Sequence, residues 1–198
     1  QTTAPTRGQK DKLPFYIPIR TSFLNAQGQS VHPAELDQNN LIILNKAEQE
    51  FAFTLDDSTI PVLLQDFSAP VRLDAQYTPK DYSHMLEYCD DAFIKVDSAV
   101  SLQNRYIHEN IDKVSRGILP KEPSDLIEVI KHLLQNRNET TDLHLLNEAI
   151  KIQPLINMME TFETINIDAL NDTRKILESA VAAACFDEFQ QVYSSVKA

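Results

Sequence analysis

Tryptophan is absent from the 198 residues, glycine occurs three times and cysteine twice. With glycine only at positions 8, 28 and 117, no phosphate loop of the G-x-G-x-x-G or G-x-x-x-x-G-K type can be written. Cys89 and Cys185 lie far apart, and neither sits in a C-x-x-C or a Cys/His cluster. They predict two buried or half-buried free thiols in a reducing compartment, and so a cytoplasmic protein. No apolar run approaches the roughly 20 residues of a membrane helix, so no membrane partner is expected. Positive charge is also in short supply. Lys and Arg number 18 against 29 Asp and Glu, for a net charge of −11. An acidic chain without a dense basic stripe repels phosphate backbones, which excludes nucleic acid as a partner. The start, Gln1 to Lys12, is polar, has no signal-peptide pattern and lacks a leading Met. It reads as a linker or a strand end, so the chain is expected to begin inside a longer protein.

What remains is ordinary globular material. Apolar residues make up 42% and the mean hydropathy is −0.30, and a chain of this length can bury about 70% of its unfolded surface. The first part reads as strands. Leu13 to Leu24 alternates Phe15, Ile17 and Ile19 against Tyr16, Pro18 and Arg20. Pro14 and Pro18 lack the N–H that a central strand donates, so this is an edge or irregular strand. Asn25-Ala26-Gln27-Gly28 is a turn signal. Leu41–Leu44 is a short apolar run, and Glu50–Leu55 alternates Phe51, Phe53 and Leu55 with polar or small residues, a half-buried strand. Pro61–Phe67 and Val71–Leu73 complete four or five short strands. Such spacing predicts a small antiparallel β-sandwich of the Ig-like kind over residues 1–76, with Phe51, Phe53 and Phe67 in its core and its N-terminal strands missing. A truncated sandwich exposes a strand edge that invites self-association.

From residue 77 the period becomes 3.6. Thr78-Pro79-Lys80-Asp81 resembles a capping box with Pro at the first helical position. Ala92 to Val114 sets Phe93, Val96, Val100, Ile107, Ile111 and Val114 on one stripe, ended by Gly117. Pro123 opens a helix with Leu126, Ile127, Ile130, Leu133 and Leu134 inward. Another starts near Thr141 or Asp142 and carries Leu143, Leu146, Ala149 and Ile150. A short one follows Pro154, and the last runs from about Asp168 to Val196. Stripes this narrow are buried by pairwise stacking, so residues 77–198 read as an all-α superhelical, helical-repeat segment.

Candidate chemistry is thin. His32, His84, His108, His132 and His144 include no H-E-x-x-H, the pattern that puts two zinc ligands and a water-activating Glu on one helix face. The nearest miss, His108-Glu109-Asn110-Ile111-Asp112, reads as a surface helix face. His84 with Glu87, and His144 with Glu148, read as exposed hydrogen-bonding pairs. Cys89 precedes Asp90-Asp91, and neighbouring acids disfavour the thiolate a nucleophile requires. Asp56-Asp57 and Asp90-Asp91 suit turns and helix starts. Met158-Met159 suits gap-filling core. Catalytic, cofactor-binding and metal residues are therefore all assigned as none.

Leu13-Pro14-Phe15-Tyr16-Ile17-Pro18, Ala47-Glu48-Gln49-Glu50-Phe51-Ala52-Phe53 and Pro61-Val62-Leu63-Leu64-Gln65-Asp66-Phe67-Ser68-Ala69-Pro70-Val71 resemble the bacterial aminopeptidase N (alanyl aminopeptidase) family, in the section after its catalytic domain. Asp97 and Ala99 fall where that family's second C-terminal helix begins. Lys95-Val96 replaces the family's Arg-Trp pair, and Val100 its Gln. The resemblance implies a parent zinc metalloaminopeptidase whose H-E-x-x-H and G-A-M-E-N motifs lie upstream, outside this chain. It also implies that zinc is the parent's cofactor and not this fragment's. The implied partners are the catalytic domain and the rest of the helical domain of the same chain, with peptide substrates for the parent. The expected role is structural: linking and positioning the helical domain that encloses the active-site chamber. The alternative is a free-standing protein-interaction module of sandwich plus solenoid.

Overall fold

Strand β1 (Ile17–Leu24) organises the first part of the chain by pairing antiparallel with β2 (Ser30–Val31), β3 (Leu41–Leu44) and β4 (Ile60–Leu63). The structure, a computed structural model, describes residues 1–137 and 141–197. In it, β3 pairs with Ile17–Arg20 and β4 with Thr21–Leu24. The Thr21 N–H donates to Asn40 O at 2.7 Å on the β3 side. The Arg20 N–H donates to Ser68 Oγ at 2.9 Å on the β4 side. Successive N–H groups alternate sides along a strand, so Pro18 shares Arg20's side, beyond the end of β4. Its missing N–H cancels no ladder bond there. The strand is thus central in its second half, and the edge character read from its prolines holds only for its first half.

The Asn25–Gly28 turn forms as its residues require. Asn25 Oδ1 accepts from the Gln27 and Gln29 N–H groups at 3.0 and 2.9 Å. Gly28 takes φ 75°, a left-handed value that favours glycine. Phe23, Leu24, Val62 and Leu64 belong to the buried centre, and Phe53 packs on Phe23 in a tilted pair with ring centroids 4.9 Å apart. Three expectations are corrected. Glu50–Leu55 is no strand: its burial alternates as read, but no ladder forms there, because Phe53 is held by ring packing instead. After β4 the chain enters a 3₁₀ turn, Gln65–Phe67, with Leu64, Asp66 and Phe67 all at positive φ. That turn swings Phe67 outward, so it is 53% exposed and not core. Val71–Leu73 forms no strand either.

The chain divides into two compact units, and the second begins at Tyr77. It contains α1 (Pro79–Tyr88), α2 (Ala92–Ser115), α3 (Ser124–Gln135), α4 (Leu143–Ile150), α5 (Leu155–Met159), α6 (Ile167–Ala184) and α7 (Phe186–Lys197). Thr78 caps α1 by accepting from the Asp81 N–H, and the Asp81 carboxylate accepts in return from the Thr78 N–H at 2.7 Å. Asp91 caps α2, and Asp142 caps α4. Gly117, at φ 74°, follows the end of α2, where the Ile118 N–H returns to Lys113 O at 2.9 Å. Helix α2 packs against α1, α4 and α6, and α3 against α1 and α7. One core runs through the helices, with Leu86, Ile107, Ile130, Met158, Leu170 and Leu177 fully buried.

Two helix readings shift. The buried arc of α2 is rotated from the expected stripe: Ile94 is 5% exposed while Phe93 is 38% exposed. Neighbours on several sides widen that arc, and it takes in the polar Ser98, Gln103 and Asn110. The expected single last helix is two. Helix α6 ends at the fully buried Cys185, whose φ −106° and ψ 17° are not helical, and α7 begins at Phe186. No glycine or proline sets this break. Helix α6 packs mainly on α2, with lesser contacts to α5 and α3, whereas α7 packs on α3.

Candidate functional site

The histidines singled out from sequence do not converge. His108 Nε2 lies 2.9 Å from Thr161 Oγ1, and its ring stacks on Phe162 at 4.1 Å. Glu109, its neighbour in the nearest-miss motif, pairs with Arg105 at 2.9 Å. His132 Nε2 meets Glu87 Oε1 at 2.8 Å, joining α3 to α1. The ring of His84 lies 4.7 Å from that of Tyr88. Glu148 faces Lys151 at 3.9 Å and accepts from Asn147 at 3.3 Å. Glu87 and Glu148, the acidic members of the two helix-face pairs read from spacing, thus also have other partners. His32 is exposed. Among the described residues, no three His, Cys, Asp or Glu side chains group so as to hold a metal ion. The donor set zinc requires is not assembled by them.

Cys89 and Cys185 are both free and buried. Desolvation pushes each thiol above its ordinary pKa; at Cys89 a backbone hydrogen bond from Asp91 works against it while the charges of Asp91 and Asp90 add to it, and at Cys185 the charge of Glu188 adds to it. Neither is poised as a thiolate. Asp91 is used as a helix cap, accepting from the Ile94 N–H at 3.0 Å.

The structure brings together polar residues that the sequence reading passed over. A cleft of about 310 Å³ lies beside α2 and the segment leading into α3, and its walls include Arg105, Glu109, Lys113, Lys121, Glu122 and Asp125. Three cations face three anions, so the cleft selects no charge. Beneath it Asn110, buried, donates to Tyr106 O at 2.8 Å and accepts from Lys113 Nζ at 2.9 Å. The buried Tyr106 hydroxyl has no hydrogen-bond partner among the described residues, and desolvation raises its pKa.

The better-satisfied cluster centres on Gln103. This residue is 0% exposed. Its Nε2 donates to Lys151 O at 3.0 Å, and its Oε1 accepts from the Gln153 N–H at 2.8 Å. Arg174 Nε donates to Gln153 O at 2.8 Å, and Arg174 pairs with Glu178 at 3.2 Å. A polar residue between Leu102 and Tyr106 on a mainly apolar arc was the available signal in the sequence. Nothing here provides a nucleophile with a base, or a paired acid and base, within reach of a shared open space.

Residues 1–76 match the family described as domain of unknown function DUF3458, Ig-like fold. Residues 79–198 match its companion DUF3458_C, described as ARM repeats. Over 201 residues the chain is 27% identical to "Aminopeptidase N" of Haemophilus influenzae, covering all of this chain and 23% of that protein. It is 26% identical over 202 residues to "Aminopeptidase N" of Escherichia coli K12, covering 98% of this chain and 22% of that protein. The chain therefore spans less than a quarter of the length of these relatives. Among solved structures, Legionella pneumophila aminopeptidase A in complex with aspartic acid superposes with a TM-score of 0.77 at 22% identity. That match covers 92% of this chain and 20% of the other, and at such identity it speaks for the fold alone.

Proposed function

The chain belongs to the DUF3458 family, an Ig-like domain followed by ARM repeats, and on that premise we propose that it is a non-catalytic section of a zinc aminopeptidase. Its task is to link the domains of that enzyme and position the helical domain over the active-site chamber. The carrying observation is that relatives called aminopeptidase N align along the whole chain, while its described residues hold no metal-ligand group. Zinc would be bound by polypeptide outside this chain, and no catalytic step is assigned to residues here. What these residues contribute is placement: stacked helices limit which peptides enter and help exclude water from the reacting centre. The same homology supports adjoining domains of one longer polypeptide as partners, and the relatives' name makes peptides the proposed substrates. No described helix is long and apolar enough to cross a membrane, and the two free thiols favour a cytoplasmic setting.

The test is direct. The 198-residue chain, incubated with zinc and an alanine anilide, should neither hydrolyse the anilide nor retain stoichiometric zinc after dialysis. Turnover or one tightly bound zinc per chain would defeat the proposal.

A further inference from the structure

We infer that Gln103 is a positioning residue, whose side chain locks the connection between α4 and α5 in place against α2. The observation is a buried amide used at both ends. Lys151 closes α4 in an extended conformation, at φ −66° and ψ 129°. Pro154 precedes α5, and a proline offers no N–H. Between them the backbone has left one helix and not yet entered the next, so its polar groups need partners from elsewhere. Gln103 supplies a donor to Lys151 O and an acceptor to the Gln153 N–H, as a neighbouring strand would. Arg174, from α6, takes the Gln153 carbonyl. Gln153 thus has its N–H held from α2 and its C=O held from α6.

The residue type is specific. Glutamine alone combines a donor and an acceptor at that reach; glutamate keeps the acceptor only, and methionine keeps the shape with neither. The apolar contacts of α2, α4 and α6 survive the loss of these bonds. What is lost is the fixed path of residues 151–153, and with it the fixed approach of α5, which packs on α6. Resting on the scaffold reading above, this makes Gln103 a determinant of how large a peptide the parent enzyme admits, without a part in the chemistry.

The experiment has two arms. Hydrogen exchange on the 198-residue chain should show the Gln153 amide of Gln103→Met exchanging about tenfold faster or more, with cooperative unfolding retained. In the longer aminopeptidase polypeptide, Gln103→Met should change kcat/KM for an octapeptide relative to an alanine anilide by roughly threefold or more, mainly through KM. Unchanged exchange at Gln153 overturns the lock. Faster exchange with an unchanged substrate ratio overturns the link to peptide size. A parent polypeptide that cleaves no peptide defeats the scaffold reading and leaves the exchange result standing. Should Gln103→Met fail to fold, Arg174→Gln removes the third bond from a less buried position. It leaves the Gln103 bonds in place, so Gln153 exchange in that variant should rise by less than in Gln103→Leu, and equal rises in the two overturn the assignment of the lock to Gln103.

Discussion

Burial holds the thiols of Cys89 and Cys185 in their protonated form. The thiols of the unfolded chain titrate near pH 8.5. Above that pH the unfolded state releases protons that the folded state keeps, so the unfolded state binds fewer and stability falls as pH rises. The contribution is fully present below about pH 8 and is lost through the alkaline range, by up to about 1.4 kcal/mol per pH unit for each thiol. Lys95, whose pKa is lowered by desolvation, acts in the opposite sense and sits beside Cys89. Cys185 therefore gives the cleaner measurement. Urea unfolding at pH 7.5, 8.5 and 9.5 should show a shallower loss of stability in Cys185→Ala than in the parent chain, whatever the offset between them. Equal slopes would mean the thiol is not held as described.

Helix starts were the most legible elements, because capping chemistry is local. Thr78, Pro79 and Asp81 announce α1 in four consecutive residues, and the bonds they imply are formed. Thr78→Ala should cost about 0.5–2 kcal/mol in urea unfolding, the ordinary price of a lost N-cap. Asp81→Ala combined with it should cost less than the sum of the two, since the pair acts reciprocally. What could not be read is what depends on distant neighbours. The phase of α2 turned because polar Ser98, Gln103 and Asn110 are buried by helices far along the chain. The residues Phe51 and Phe53 show a strand's period without a strand's partner. The break at Cys185 has no glycine, proline or capping box to mark it, only the acidic first turn of α7 at Asp187 and Glu188. If packing alone creates it, a peptide spanning residues 167–197 should form one uninterrupted helix in a helix-promoting solvent, with nuclear Overhauser contacts continuous across Cys185. An interruption there would point to a local cause.

At the level of the molecule, the two units differ in how much they can bury. The helical unit has a continuous core reaching from Leu86 to Cys185. The first unit relies on a four-stranded sheet with few fully buried side chains, and Leu13, Phe15 and Tyr16 stand exposed near its start. Small cores of this kind rarely support a stable fold. Residues 77–198 expressed alone should therefore unfold cooperatively by circular dichroism, whereas residues 1–76 alone should show no sharp transition. A cooperative melt of the shorter piece would overturn this ranking. The sandwich and the solenoid were legible as classes at this scale, because the period of the apolar residues changes at Tyr77. The cluster around Gln103 was not, because its partners lie 48 and 50 residues away.

Pro18 has a consequence for behaviour in concentrated solution. It faces the flank of β1 that no described strand covers, at a point where a passing backbone from another molecule would look for a hydrogen to accept. It has none to give, so a copied ladder stalls after a residue or two. That stretch of the flank of β1 is thereby blunted against strand addition, although the outer edges of β2, β3 and β4 are not protected by it.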